Sequence, residues 1–188
     1  QGDINALIVE HARAGAVVVR LKSGDPTVFG RLDEELDAVL EAGIAHEIVP
    51  GITAASAAVA GIGQSLTRRG RNASARFLTG HDMAGFADHD WRALAQGGEV
   101  SAVYMGKKAA RFIQGRLLMH GAAPDLPVTV VENASRPEAR TVATTLGRLA
   151  ADLSEAALTG PALLLVGLAP RAPTAARPAD TRREMEFA

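Results

Sequence analysis

The sequence predicts an α/β fold in which strands and helices alternate along the chain. Short β-branched or apolar runs are separated by segments with apolar residues at helical spacing, the pattern of a parallel sheet with crossover helices. Turn residues such as Gly15, Gly43 and Pro50-Gly51 end these segments. The 188 residues are 47% hydrophobic, which is enough to form a sizeable core without covalent crosslinks.

The first third of the chain is expected to contain three helices and two strands. Asp3 is predicted to cap the first helix, which ends near Gly15. The β-branched run Val17–Leu21 is typical of a buried strand. The next elements are predicted as a helix from Leu32 to Leu40, a strand at Glu47–Val49 and a small-residue helix at about Thr53–Ala60.

The rest of the chain has more strands per helix, which predicts a mixed sheet and a second domain. Its strands are expected at Arg76–Thr79, Val100–Met105, Val128–Val131, Thr141–Ala143 and Leu163–Val166, and its helices at Lys107–Met119 and about Leu146–Leu153. The domain boundary is expected near Leu66–Asn72. Residues 1–70 and 71–170 then form two α/β domains, and residues 171–188, rich in Pro, Ala and Arg, form a disordered tail.

Composition excludes several classes of function. The chain has no cysteine, so disulfides, zinc-thiolate sites and cysteine nucleophiles are excluded. The net charge of −1 and the 4% aromatic content do not favour nucleic-acid binding. The five histidines lack the spacing of a zinc motif, so no metal site is predicted. With no apolar run long enough to span a bilayer and no secretory signal at the start, a cytoplasmic protein is expected.

The loop after the first predicted strand is the first candidate binding site. It contains Ser23, Gly24 and Asp25, and it lies at the strand end where open α/β sheets bind ligands. Gly24 allows close approach of the backbone, and Asp25 offers a carboxylate to hydroxyl or cationic groups. The alternative interpretation is an ordinary β-to-α turn, for which Gly-Asp-Pro is equally suitable.

Two further strand ends carry similar signals. Thr53 and Ala54 begin a helix whose first N–H groups are available to a ligand or a cap. The turn at Met105 joins a strand to a helix through a single glycine and is a candidate pocket wall. Close helix–sheet packing or a plain connection would produce both patterns as well. Arg31 and Arg69 are candidate partners for substrate carboxylates, although scattered arginines are usually solvated.

Nucleotide-binding signatures are missing from the sequence. No Gly-x-x-x-x-Gly-Lys-Ser/Thr phosphate loop is present, and Gly61-Ile62-Gly63 lacks the third glycine of a dinucleotide fingerprint. A dehydrogenase domain is therefore disfavoured.

Six motifs in this order resemble the uroporphyrinogen-III C-methyltransferase family, a group of S-adenosylmethionine-dependent tetrapyrrole methyltransferases. Each motif is weak alone, but the order is specific, and the resemblance covers about residues 1–170. The six motifs are Val18–Pro26 with Phe29-Gly30-Arg31, Val49–Ala55, Leu66–Gly70, Leu78–His81, Tyr104–Gly106 and Glu132–Ser135.

The resemblance implies a two-domain tetrapyrrole methylase-like (class III methyltransferase) fold with S-adenosylmethionine bound in the cleft between the domains. It implies methylation of uroporphyrinogen III at C2 and C7 to give precorrin-2, for sirohaem and cobalamin biosynthesis, by a homodimer. The cofactor-binding positions that it implies are Ser23, Gly24, Asp25, Val28, Thr53, Ala54, Met105 and Ala134. Arg31 and Arg69 are expected to bind the tetrapyrrole.

Three departures from the family pattern matter. Ser23 replaces the first glycine of Gly-Gly-Asp-Pro, a change that related precorrin-4 methyltransferases tolerate, and Ala134 replaces a glycine beside the cofactor. The family's opening strand, its glycine loop, and the acid and lysine with catalytic roles would precede Gln1, so the N-terminal domain is expected to be incomplete. No catalytic residue is therefore assigned. The alternatives are another precorrin methyltransferase, such as the precorrin-4 type, or a non-catalytic cofactor-binding fragment.

Overall fold

The computed structural model describes residues 1–171, which form an α/β structure around one central sheet. The first part of the chain contributes three helices, α1 (Gly2–Arg13), α2 (Leu32–Glu41) and α3 (Ala54–Gly61). The other helices are α4 (Trp91–Ala95), α5 (Gly106–Met119) and α6 (Leu149–Ala156), the last preceded by a 3-10 turn at Leu146–Arg148.

Five strands form the central sheet in the order β1-β4-β7-β5-β6. They are β1 (Ala75–Thr79), β4 (Val100–Tyr104), β5 (Pro127–Glu132), β6 (Arg140–Thr145) and β7 (Ala162–Val166). Strands β1 and β4 pair in parallel, and the other neighbours in this sheet are antiparallel. A small hairpin of β2 (His81–Asp82) and β3 (Gly85–Phe86) follows β1. The mixed sheet expected for the second part is confirmed.

Alternating residues of the sheet pack against helices on its two faces. Val103 of β4 and Leu164 of β7 face α5 and α6, where Ile113 and Leu149 complete a core. The next residues along the same strands face the opposite side and pack against α3, in a second core. The buried members of that core are Ala55, Ala58, Val59, Ile62, Val100, Ala102, Val131, Leu163, Leu165 and Leu168. Because α3 is made of small residues, its backbone packs closely on the sheet.

Two predicted strands are wrong. Val17–Leu21 and Glu47–Val49 form no strand, and Val17 and Leu21 are 95% and 81% exposed. A strand exists only when a neighbour completes its backbone hydrogen bonds. Within residues 1–171 neither segment has a paired strand beside it.

The remaining elements are confirmed within a few residues of their predicted ends. Asp3 lies in the first turn of α1 and is not its cap, because the helix begins at Gly2. The hairpin of β2 and β3 and the short helix α4 were not predicted, because each is too short to show a periodic pattern. Of the tail predicted at 171–188, residues 172–188 lie outside the described part of the chain. The division into domains at residue 70 stays a prediction.

Candidate ligand-binding site

The end of β4 is the centre of the candidate site. Tyr104 is its last residue, and Met105, in the left-handed backbone conformation with φ 53°, turns the chain into α5. The end of the neighbouring strand β1 lies close by, because the Gly80 amide donates a hydrogen bond to the Tyr104 carbonyl at 2.7 Å. A β-carbon at Gly80 would lie 2.8 Å from the Met105 carbonyl oxygen, so this position admits only glycine.

The loop that contains Ser23, Gly24, Asp25 and Val28 is shaped by its own aspartate. Asp25 accepts hydrogen bonds from the Thr27 hydroxyl at 2.7 Å and from the Thr27 amide at 2.9 Å. These two bonds, the hydroxyl first, hold the pKa of Asp25 below its usual value despite partial desolvation. Asp25 is therefore a carboxylate at neutral pH.

This loop contacts the turn that begins α3. A β-carbon at Gly24 would lie 3.5 Å from the Ile52 carbonyl oxygen and 3.8 Å from the Ala54 amide nitrogen. A β-carbon at Gly51 would clash with the Gly24 carbonyl oxygen. The structure thus brings the loop of Asp25 and the turn of Thr53 together, as expected from the sequence. Gly51 is required because the two backbones touch, and Gly24 is favoured because its φ is 76°.

Tyr104 links these two loops to the sheet. Its hydroxyl hydrogen-bonds to Thr53 Oγ1 and accepts the Ala55 amide at 3.1 Å. Its ring lies 5.0 Å from that of Phe29, in the loop after Val28, and 5.9 Å from that of Phe77 on β1. Tyr104 belongs to one of the six family motifs, but the sequence alone assigns it no role. The available signal was the only tyrosine of the chain, at the end of an apolar strand, where its hydroxyl requires a partner.

Ala134 reaches the same region from β5. It packs with Tyr104 against the core on the α3 face of the sheet. The turn around it is held by Asn133, which has φ 52° and donates its amide to the Pro161 carbonyl at 2.9 Å. Glu132, 2% exposed, supports this turn by accepting the Gly160 amide. Glu132 belongs to one of the six family motifs, but its positioning role is not predicted from the sequence, because its hydrogen-bond partner Gly160 is distant in the chain.

The two predicted substrate arginines have different surroundings. Arg31 is exposed and has φ 54°, and its Nε and a terminal nitrogen donate to both carboxylate oxygens of Glu34 at 2.6 and 2.7 Å. Arg69 lies exposed in the turn that an Arg68–Asn72 bridge closes. No ion pair involving Arg69 occurs within residues 1–171, whereas the charge of Arg31 is already balanced by Glu34.

A polar cluster centred on the buried Glu35 holds the segment that leads into the Asp25 loop. Glu35 of α2 is 5% exposed and accepts hydrogen bonds from Lys22 at 2.8 Å, Gln1 at 3.0 Å and Arg20 at 3.1 Å. Burial raises the pKa of Glu35, but the bonds from Lys22 and Gln1 and the charges of Lys22 and Arg20 outweigh it, so the pKa is lowered. The cluster joins α1, α2 and the segment that leads into the loop.

Two cavities of the structure are lined by residues other than those of the candidate site. A groove of about 790 Å³ runs between α5 and α6, and a cavity of about 20 Å³ lies in the core beside Trp91. None of the predicted cofactor residues lines either one. Among the described residues, no cluster of His, Asp or Glu is suited to a metal ion, and no helix is long and apolar enough to cross a membrane.

The family of the chain follows from comparison with known proteins. The profile of the Tetrapyrrole (Corrin/Porphyrin) Methylases matches residues 1–150. The chain belongs to this family. It is 45% identical over 168 residues to a siroheme synthase of Gluconacetobacter diazotrophicus, and 45% identical over 167 residues to siroheme synthase 1 of Klebsiella pneumoniae. Both alignments cover 89% of this chain, but only 36% and 35% of the relatives, so the chain spans about a third of their length.

Solved structures show the same fold. Uroporphyrin-III C-methyl transferase from Thermus thermophilus, complexed with S-adenyl homocysteine, is 37% identical with a TM-score of 0.76, covering 89% of this chain and 73% of that chain. A cobalt precorrin-4 methyltransferase has a TM-score of 0.80 at 24% identity, covering 87% of this chain and 69% of that chain, and shows the fold alone. The predicted tetrapyrrole methylase-like fold is thereby confirmed.

Proposed function

We propose that the chain binds S-adenosylmethionine and takes part in methyl transfer to a tetrapyrrole. The observation that carries this proposal is the approach of Gly24 to Ala54 beside Tyr104, in a chain of the tetrapyrrole methylase family. The eight predicted cofactor residues come from four parts of the sequence. They are Ser23, Gly24, Asp25, Val28, Thr53, Ala54, Met105 and Ala134.

The chemical groups around this point suit the cofactor. Asp25 is a carboxylate that can accept hydrogen bonds from ribose hydroxyls or a cationic amine. The first amides of α3 have no acceptor within the helix, so the Ala54 N–H can donate to a ligand. Met105, half exposed, offers an apolar surface to a purine ring. Residues 1–70 supply the loops and residues 71–170 supply Met105 and Ala134, which is the arrangement expected of a cleft between two domains.

The chain's contribution to the reaction is positional. S-adenosylmethionine, when bound, supplies a sulfonium methyl group that is already an activated electrophile. Since a pyrrole carbon is nucleophilic, most of the acceleration that the protein provides comes from alignment of the two reactants. Arg31 and Arg69 are the residues that we propose for binding substrate carboxylates, and no residue of the chain is assigned as the base.

The substrate that we propose is uroporphyrinogen III, methylated at C2 and C7 to give precorrin-2 for sirohaem and cobalamin biosynthesis. Phe29-Gly30-Arg31 and the identity to the Thermus enzyme support this substrate. A precorrin-4 type substrate is the second candidate, since the related precorrin-4 methyltransferases tolerate a residue other than glycine at the position of Ser23. A cytoplasmic homodimer is proposed from the family resemblance alone.

Calorimetry tests the cofactor assignment. S-adenosylhomocysteine is expected to bind to the chain, and NAD is not. Asp25→Asn should weaken the binding about tenfold, because a charge-assisted bond becomes a neutral one. Asp90→Asn is the matched control, since Asp90 caps α4 away from the site by accepting the Ala93 amide at 3.0 Å. Absence of heat with S-adenosylhomocysteine at millimolar concentration would contradict the proposal.

The substrate is tested separately with a form of the protein that carries a family-like N-terminal extension. Methylated product is measured by mass spectrometry with uroporphyrinogen III and with precorrin-4 supplied in parallel. Precorrin-2 should accumulate with the first substrate alone. Turnover of precorrin-4 alone would favour the second candidate, and turnover of neither would support a cofactor-binding fragment without catalysis.

A further inference from the structure

The cap of helix α3 departs from the usual arrangement. Thr53 occupies the N-cap position, where a threonine hydroxyl normally accepts an amide of the first helical turn. Its backbone is extended, as a cap requires, but its side chain makes no such bond. The amide of Ala55, the second residue of the helix, donates instead to the hydroxyl of Tyr104 at 3.1 Å.

The Tyr104 hydroxyl can satisfy both of its contacts at once. One of its lone pairs accepts the Ala55 N–H, which leaves its own hydrogen to be donated to Thr53 Oγ1. A phenol is a stronger donor than an aliphatic hydroxyl, so this direction is favoured. The Thr53 hydroxyl then does not have to turn toward the helix to cap it, and its own hydrogen can be donated to another acceptor.

We propose that Tyr104 is a positioning residue that caps α3 from outside the helix and thereby frees the Thr53 hydroxyl to donate a hydrogen bond to the bound cofactor. This inference rests on the proposed function. Thr53 is 9% exposed, and its Cα lies 4.0 Å from the position of a β-carbon at Gly24, so the residue lies beside the Asp25 loop of the proposed site. The rings of Phe29 and Phe77 hold the tyrosine in this place.

Removal of the Tyr104 hydroxyl should therefore have a specific effect. Without it, Thr53 can rotate and cap Ala55 itself, because threonine is a good N-cap residue. The fold should then be retained, while the rotation turns the Thr53 hydroxyl away from the cofactor and weakens the hydrogen bond that it donates. A purely structural tyrosine would instead lower stability with a proportionate loss of all functions.

The test is a double-mutant cycle in the protein, with S-adenosylhomocysteine affinity measured by calorimetry and stability by thermal melting. Tyr104→Phe and Thr53→Val should each weaken binding by about three- to tenfold, and the double variant should bind within about twofold of Thr53→Val alone. Thr144→Val is the matched control, because it also removes a threonine hydroxyl. Thr144 lies on β6 and donates to Asp152 of α6 at 2.6 Å, and its substitution should leave the affinity for S-adenosylhomocysteine unchanged.

Three results would overturn the inference. They are wild-type affinity in Tyr104→Phe, losses that multiply in the double variant, and a crystal structure of Tyr104→Phe in which Thr53 Oγ1 does not move to about 3 Å from the Ala55 nitrogen. The structural readout needs no ligand, so it tests the capping exchange directly. If the wild-type protein binds no S-adenosylhomocysteine, both the proposed function and this inference fail. If Tyr104→Phe binds it with wild-type affinity, only the positioning role of Tyr104 is refuted.

Discussion

Arg69 and Arg31 differ in the partners that they already have, and this difference predicts different roles. The guanidinium of Arg31 is held at 2.6 and 2.7 Å by Glu34. Arg69 has no ion-pair partner within the described residues and lies exposed within Leu66–Asn72, the segment expected to join the two domains. A substrate with several carboxylates can therefore pair with Arg69 without displacing another anion.

Arg69→Ala is expected to weaken uroporphyrinogen III binding about tenfold and to leave cofactor affinity within about twofold. A lost charge-assisted pair that is shielded by the substrate costs on the order of 1.5–3 kcal/mol, and exposure reduces that value. Binding of both ligands is measured by calorimetry. The control is Arg92→Ala, an exposed arginine of α4. Equal loss of both affinities would show that Arg69 supports the fold.

A substitution of Ala134 tests the proposal that this residue lies beside the cofactor. Its methyl group packs with Tyr104 on the sheet, in a turn that Asn133 and Glu132 hold. Ala134→Gly is expected to leave S-adenosylhomocysteine affinity within about tenfold, or ~1.4 kcal/mol, because we expect neighbouring small residues to compensate for the methyl group. A gain in S-adenosylhomocysteine affinity larger than tenfold would mean that Ala134 impairs cofactor binding in this chain.

At the scale of elements, the Glu35 cluster joins α2 to the segment that carries the Asp25 loop. The pKa of Glu35 is lowered in the folded protein, so the stability that its carboxylate contributes is present above the unfolded value of about 4.3. That stability is lost as the pH falls through the lower folded value. The window of loss is therefore acidic, and the contribution is complete at neutral pH.

Glu35→Gln is expected to lower the free energy of unfolding by about 1–3 kcal/mol at pH 7, since Lys22 loses its buried partner. The difference from wild type should shrink as the pH falls below the unfolded value and through the lower folded pKa of Glu35, where the wild-type carboxylate becomes protonated. Urea denaturation at several pH values measures both. Glu34→Gln, which breaks an exposed pair, is the control and should have little effect. A penalty that is independent of pH would refute the electrostatic explanation.

The segment Val17–Leu21 is an exposed apolar element of the structure. Val17 is 95% and Val19 is 73% exposed, and their backbone has no strand partner within residues 1–171. A segment with exposed apolar side chains and unpaired backbone groups favours association between molecules. We expect a polypeptide of these 188 residues to associate beyond a dimer as its concentration rises.

Val17→Lys with Val19→Lys should reduce this association, because the two charges oppose pairing of the segment with another chain. Light scattering across a concentration series measures the effect. Met83→Lys is the control, since Met83 is fully exposed at the tip of the β2–β3 hairpin but has no apolar neighbours in sequence except alanine. An equal reduction in both variants would implicate net charge and not this segment.

At the scale of the whole molecule, binding and turnover are expected to separate. The family resemblance assigns the glycine loop and the proton-transfer acid and lysine to sequence that these 188 residues do not contain. The alignment with the Thermus thermophilus enzyme likewise covers 73% of that chain. We therefore predict weak S-adenosylhomocysteine binding and no methyl transfer by a polypeptide of these residues alone.

Expression with and without an N-terminal segment of the Thermus thermophilus enzyme tests this separation. Methylated product, measured by mass spectrometry, is expected only from the extended form. Comparable turnover from the shorter form would mean that the base lies within the shorter polypeptide. Cofactor affinity, measured in parallel, serves as the control for correct folding of both forms.

The sequence by itself determined the fold class, the family and most of the elements. Helices and strands such as α5 and β5 were predictable, because their apolar residues recur at one period over enough positions to define a face. The candidate site was predictable as a set of loops, because glycine and polar residues cluster just after strand ends, where α/β sheets bind their ligands. Its individual cofactor residues stay predictions.

Only the tertiary structure decided how these pieces act together. The sequence of an apolar run does not reveal whether a partner strand exists, which is why the prediction of a strand at Val17–Leu21 is wrong. A tyrosine at a strand end does not state what its hydroxyl reaches, and Thr53 lies 51 residues away from Tyr104 in sequence. The physical reason is the same in both cases: hydrogen bonds between distant segments depend on the position of both partners, and local sequence specifies only one of them.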